Sequence, residues 1–332
     1  MMTEKSKPKL AFYWAGSCGG CEITITELGM RLVDVSEQAD IVFWPAAMDF
    51  KYDDVRAMPD QDIDICFFNG AIRNAENEEI AHLLRRKSKT MIAFGSCSHL
   101  GGIPGLANMY DIESLCARVF DTTPSLDDSR GTRPQMVTKV PEGEIELPEL
   151  YESVKHLAEI TDVDYFMPGC PPVVDQVWKV FQAALNGDLP AKGSVIGADP
   201  KSVCDVCDRE KGAPGFRISE FKRPHQLTLD PQTCFLTQGV ICCGPATMAG
   251  CGTPCLSGNM PCRGCYGPAE GVVDQGAKLA SAIGALIDTD DPEKLQSILD
   301  TLVDPAGTFY RFGLAHSIMS KMKYELGNPH EA

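Results

Sequence analysis

The chain has 332 residues, 44% of them apolar and 23% charged, the mix of a soluble globular protein of one or two domains. With 46 acidic side chains against 30 basic ones the net charge is −16, which opposes binding to phosphate backbones and excludes nucleic acid as an expected partner. Fifteen cysteines are too many to be idle, and their odd count argues for metal ligation over a disulfide scaffold.

The N-terminal MMTEKSKPKL is short and polar, without the apolar core or twin arginine of an export signal. No apolar run approaches the roughly 20 residues of a membrane span. The expectation is a cytoplasmic protein with no membrane partner, in a compartment that keeps thiols reduced. Five compact apolar runs follow: KLAFYWA (9–15), DIVFWPA (40–46), DIDICFFNG (62–70), TMIAFGS (90–96) and DYFMPG (164–169). Their near-continuous apolar character predicts strands buried on both faces of a parallel sheet. Helical periodicity fills the gaps at CEITITELGMRLVDV (21–35), NEEIAHLLRRKSK (77–89) and VVDQVWKVFQAAL (173–185). From Asp121 to about Leu150 the chain holds Pro124, Pro134, Pro141 and Pro148 and reads as an irregular insertion. The alternation predicts an α/β fold, an open doubly wound parallel sheet over residues 1–190, with a boundary where the composition shifts near Pro190.

Such a sheet gives the scattered cysteines a geometry. Cys18 and Cys21 follow the first strand, Cys97 the fourth and Cys170 the fifth, so all four fall outside the carboxyl ends of strands, where ligands of these sheets bind. Their loops, GSCGGC, GSCSHLGGIPG and PGCPP, are rich in glycine, which lets backbone approach a bulky inorganic centre and offer N–H groups to its sulfides. Four thiolates from three distant loops suit a cubane [4Fe-4S] cluster better than a redox dithiol or one zinc ion. No P-loop and no GxGxxG pattern is present, and an FMN site would have to share the crevice with the thiols. Cys66, inside a strand, and Cys116, inside DIESLCARVF, read as small buried hydrophobes.

Residues 191–332 open with nine cysteines between Cys204 and Cys265 and few large apolar residues, so metal centres are expected to hold this part together. Spacing suggests Cys204, Cys207, Cys234 and Cys242 as one set and Cys251, Cys255, Cys262 and Cys265 as another. At this level Cys242 and Cys243 are not separable, and two four-cysteine zinc ribbons in a scaffold without redox role stay open. The basic run EFKRPHQ (220–226), His225 included, reads as a solvated loop. Helical periodicity returns at 271–287, at 291–303 with Asp291 and Pro292 suited to its start, and at 309–326. The second part is thus a Cys-rich, largely irregular and helical domain.

Taken together, WAGSCGGC (14–21), GSCSHLGG (95–102) and PGCPP (168–172) resemble the small subunits of [NiFe] hydrogenases, and the resemblance extends over nearly the whole chain. It implies a flavodoxin-like first domain with a proximal [4Fe-4S] cluster on Cys18, Cys21, Cys97 and Cys170. It implies a distal cluster on Cys204, Cys207, Cys234 and Cys242, the CCGP motif putting Cys242 in the ligand's place, with Cys204 standing where many members have His. The medial site of the family usually has three Cys and a Pro around a [3Fe-4S] cluster. Here Cys251, Cys262 and Cys265 are joined by Cys255, which implies a medial [4Fe-4S] cluster and three [4Fe-4S] clusters in all. Within the family such a set is similar to the gamma subunits of the methyl-viologen-reducing, non-deazaflavin-reducing hydrogenases of methanogenic archaea. The implied role is an electron-transfer subunit of an oxidoreductase, with no catalytic residue of its own. The implied partners are a large subunit that activates H2 and an iron–sulfur electron-accepting subunit linked to heterodisulfide reductase. A complex I-like subunit of the same fold is set apart by adjacent cysteines in its first motif and by a single cluster.

Overall fold

The computed structural model describes residues 6–128, 130–287 and 289–320. Its central sheet has five parallel strands: β1 (Lys9–Trp14), β2 (Asp40–Phe43), β3 (Ile63–Asn69), β4 (Ser88–Phe94) and β5 (Tyr165–Met167). They lie in the order 2-1-3-4-5, the flavodoxin-like arrangement, so all five expected strands are present within a few residues of their expected ends.

Alternation along each strand sends side chains to opposite faces, and both faces are covered. Leu10, Phe12, Ile65, Phe67, Ile92 and Phe94 pack with Ile25, Val177 and Phe181 on one side. Ala11, Tyr13, Ile63, Phe68, Met91 and Ala93 pack with Ile80 and Leu84 on the other.

The helix expected over 21–35 is instead two, α1 (Gly20–Thr26) and α2 (Arg31–Gln38). Gly29 between them takes φ +59°, a left-handed conformation that ends a helix, and Thr26 turns its hydroxyl back on the Ile23 carbonyl at 2.7 Å. Helix α3 (Ala75–Lys87) begins where the Asn74 side chain accepts the Asn77 N–H at 2.8 Å, and α4 (Val174–Asn186) ends on Gly187 at φ +75°.

The segment read as irregular holds an exposed antiparallel hairpin, Val137–Val140 with Gly143–Glu146. Leu150–Lys155 then pairs with Ile72–Asn74 outside the main sheet. The hairpin buries almost nothing, so it carries none of the apolar alternation by which half-buried strands are recognised.

Asp164 ties the far edge together. It accepts hydrogen bonds from Arg85 Nη1 at 2.7 Å and the Met91 N–H at 2.8 Å, and pairs with Lys192 Nζ at 2.5 Å. Burial pushes its carboxyl up, but the bonds from Lys192, Met91 and Arg85 outweigh that and hold it below its ordinary value. A depressed folded-state pKa stabilises above the unfolded value and is lost as pH falls through the folded one. Asp164→Ala is therefore expected to cost about 2 kcal/mol near neutrality, and the gap between wild type and variant should close below about pH 4 in denaturant titrations.

The sheet's last pairing passes the composition shift at Pro190, since the Ile196 N–H still donates to Phe166 O at 2.8 Å. Beyond it, Val203, Phe221, Phe235, Leu236, Val240, Leu279 and Ile283 form an apolar cluster that includes Cys242, Cys243 and Cys262. The region is therefore less poor in core than its composition implied. Helices run over Gln275–Gly284, Pro292–Leu299 with Asp291 as its cap, and Pro305–Phe309. The helix expected over 309–326 is not formed in its described part, where residues 311–320 make turns; residues 321–326 lie outside the described residues. Those turns pack on the loop after β4, with the Gly102 N–H donating to Phe312 O at 3.1 Å and Gly101 and Gly105 against Ala315. No helix among the described residues is long and apolar enough to cross a membrane.

Candidate functional site

Three parallel strands deliver the first four thiols to one edge. Cys18 follows β1, Cys21 opens α1, Cys97 lies in the short helix Ser96–Leu100 after β4, and Cys170 follows β5. The β4 and β5 loops are tied to each other by Gly95 N–H to Met167 O and Ser96 N–H to Gly169 O, both at 2.8 Å. Burial, then repulsion from Cys97, Cys170, Glu22 and Cys18, pushes the Cys21 thiol far up. Cys97 is pushed up to about 12 by burial and by Cys170 and Cys18. The four thiols thus lie at the same end of the sheet, near enough for Cys21 and Cys97 to feel the others.

Glycine makes that end accessible. A Cβ on Gly95, at φ +85°, would clash with Cys21 Sγ, and a Cβ on Gly102, at φ +57°, would lie 2.5 Å from Cys97 Sγ. A donor set of four soft thiolates in a glycine-lined cradle fits a [4Fe-4S] cubane. Among the described residues no three Cys, His, Asp or Glu side chains converge closely enough to share one metal ion.

Cys251, Cys255, Cys262 and Cys265 line a cavity of about 350 Å³ together with Cys170 and Tyr266. Cys265 is pushed up to about 12 by burial, then by Cys251, Cys170 and Cys255. Cys204, Cys207, Cys234 and Cys242 line another, of about 290 Å³, walled by Phe216, Phe235 and Leu256. Cys204 is pushed up to about 12 by burial, then by Cys242, Cys234 and Cys207.

The sets also touch one another electrostatically. Cys170 lines the cavity of Cys251–Cys265 and acts on Cys265, and the Cys243 N–H, next to Cys242, donates to Cys262 O at 2.9 Å, so the order runs from the first set through that cavity to the third set.

The three remaining cysteines stand apart. Cys243, adjacent to Cys242, is absent from the lining of the second cavity and points its Sγ at Thr308 O, 3.8 Å away. Cys66 is fully buried in β3, and Cys116 sits half-buried on the helix Ile112–Phe120.

Several supporting residues were not legible in sequence. Buried Glu22, next to Cys21, accepts from Trp44 Nε1 at 2.6 Å and Asn69 Nδ2 at 3.2 Å, anchoring the start of α1 to the ends of β2 and β3. Gln275 donates to Thr247 Oγ1, Gly264 O and Gly267 O, holding the loop around Cys265. Arg209 is buried, stacks 4.0 Å over Phe235, and donates to the carbonyls of Asp230, Thr233 and Leu256 and to Asn259 Oδ1. It sits two residues after Cys207, inside a charged string that gave it no distinguishing mark.

Arg209 joins the loops of Cys207 and Cys234 to the segment after Cys255, so Arg209→Ala removes a fastener without removing a ligand. The expected result is a loss of about four of the irons held by the chain, read by iron assay against Cys116→Ser, which should lose none.

Comparison with known proteins gives this geometry its relatives. The family model described as NADH ubiquinone oxidoreductase, 20 kDa subunit, matches residues 18–184. The chain is 40% identical over 325 residues to the iron-sulfur subunit of the F420-non-reducing hydrogenase of Archaeoglobus profundus, covering 96% of this chain and 99% of that protein. It is 38% identical over 326 residues to a subunit of the F420-non-reducing hydrogenase of Methanothermobacter marburgensis, covering 96% and 98%. In fold it is similar to a chain of the [NiFeSe] hydrogenase of Desulfovibrio vulgaris Hildenborough, with a TM-score of 0.50 at 16% identity over 81% of this chain and 96% of that one.

Proposed function

The chain belongs to the family that joins the 20 kDa subunit of NADH ubiquinone oxidoreductase with the small subunits of [NiFe] hydrogenases, and on that premise we propose that it is the electron-transfer small subunit of a cytoplasmic [NiFe] hydrogenase. In this reading residues 1–190 carry a proximal [4Fe-4S] cluster on Cys18, Cys21, Cys97 and Cys170. Residues 191–332 carry a medial cluster on Cys251, Cys255, Cys262 and Cys265 and a distal one on Cys204, Cys207, Cys234 and Cys242. The observation that carries the proposal is the serial placement of three thiol sets: Cys170 of the first lines the cavity of Cys251, Cys255, Cys262 and Cys265, and Val203 and Leu256 wall both that cavity and the one lined by Cys204, Cys207, Cys234 and Cys242.

When bound, the clusters supply one-electron transfer at low potential. The chain's own residues set the conditions for it. The Gly20 N–H reaches Cys18 Sγ at 3.5 Å and the Thr253 N–H reaches Cys251 Sγ at 3.3 Å, donors of the kind that stabilise sulfur ligands of a centre held there. Phe216, Phe235 and Leu256 give the cavity of the distal set apolar walls.

Hydrogen chemistry belongs to a large subunit docked at the proximal end. Trp14, Ile23 and Ile103, near Cys18, Cys21 and Cys97 in sequence, are each about half exposed, apolar side chains of the kind such a partner would cover. The far end faces an iron–sulfur acceptor of the kind that serves heterodisulfide reductase. Purification from the native source should bring down a nickel-containing subunit together with hydrogen-dependent viologen reduction. A chain recovered alone, or with a partner free of nickel and inactive toward H2, would refute the assignment.

A further inference from the structure

A hollow of about 60 Å³ on the C-terminal half is lined by Arg223, Arg263 and Arg311, with Lys222, Asp304 and Thr308 around them. Arg223 belongs to the basic run 220–226, which the electron relay does not use. Among the described residues none of the three guanidinium groups forms an ion pair. Nearby charges of both signs are already engaged. Lys222 pairs with Glu220 at 3.3 Å, and Asp304 Oδ1 accepts the Gly307 N–H at 2.9 Å as the cap of Pro305–Phe309.

Arg311 is the informative member. Its Nε is buried and has no hydrogen-bond partner, although a buried donor left unmet costs about 1–3 kcal/mol. Arginine cannot relieve this by losing its proton. Burial, then repulsion from Arg263, presses its pKa below the ordinary value, and Asp304 and Cys243 only partly offset this. In a chain of net charge −16, three unpaired arginines meeting at one hollow run against the overall charge.

Size limits the ligand. The hollow offers about twice the roughly 30 Å³ that a water occupies in liquid, and far less than the roughly 300–1,000 Å³ of a site for a drug-sized ligand. A planar guanidinium fork matches the oxygens of phosphate in pairs. We propose that Arg223, Arg263 and Arg311 form a binding site for a single tetrahedral oxyanion of the phosphate class.

The test is calorimetric titration of potassium phosphate into the anaerobically purified, iron-loaded chain in buffer free of other oxyanions. A single saturable site is expected, with Kd raised by at least about tenfold in Arg311→Gln and, separately, in the exposed variant Arg223→Gln. Lys139→Gln, on the exposed hairpin, should bind as wild type does. Absence of saturable phosphate binding to wild type, or wild-type affinity in either arginine variant, would overturn the proposal.

Discussion

Serine in place of Cys265 is expected to lower bound iron from about twelve to about eight per chain and to cut hydrogen-dependent reduction of the natural acceptor by about a hundredfold or more. The size of the effect follows from position. Cys265 shares a cavity with Cys170 of the first set as well as with Cys251 and Cys255 of its own, so it stands where the first two thiol sets meet. Ser96 also donates its hydroxyl to the Cys265 carbonyl, fixing that backbone against the β4 loop, and this bond survives the substitution. Loss of electron flow with the fold intact therefore reports on the relay. Paired measurement of iron content and of reduction with an artificial dye would show whether the proximal centre remains. Full iron and full acceptor reduction in Cys265→Ser would remove this residue from the relay.

Gly95→Ala is expected to do nearly as much damage without removing a donor atom. Gly95 stands at φ +85°, ψ 163°, a conformation close to glycine's own, and a Cβ added there would clash with Cys21 Sγ. Alanine there adds backbone strain of about 1–3 kcal/mol and a Cβ in the place of a ligand. The expected outcome is a chain with about eight irons and no proximal signal in low-temperature EPR of the reduced protein. Gly187→Ala is the matched control: it too has positive φ, +75°, but open space around it, so it should lose stability and keep its iron. Equal iron in wild type and Gly95→Ala would mean that the cradle is not where the proximal centre sits.

The strands were legible because a sheet covered on both faces leaves near-continuous apolar runs, as in DIDICFFNG, and the first thiol set was legible because it follows those strands directly. What escaped reading depended on contacts made far along the chain. The break at Gly29 is one backbone angle inside a continuous amphipathic pattern. The hairpin at 137–146 is exposed on both faces and interrupted by Pro141, so no period marks it. Residues 311–320 carry helical periodicity yet turn, since Phe312 and Ala315 are drawn onto the glycines after Cys97. Arg209 and Gln275 look like ordinary surface residues until the loops they fasten are folded around them. Spacing could not divide Cys242 from Cys243; of the two, Cys242 lines the cavity shared with Cys204, Cys207 and Cys234.

The central claim is that twelve thiols hold three cubanes, and iron and acid-labile sulfide assayed per chain in anaerobically purified protein test it most directly. About twelve of each, in a brown protein carrying no more than trace zinc, is the predicted result. A colourless protein with zinc in place of iron, or iron and sulfide near four per chain, would contradict it.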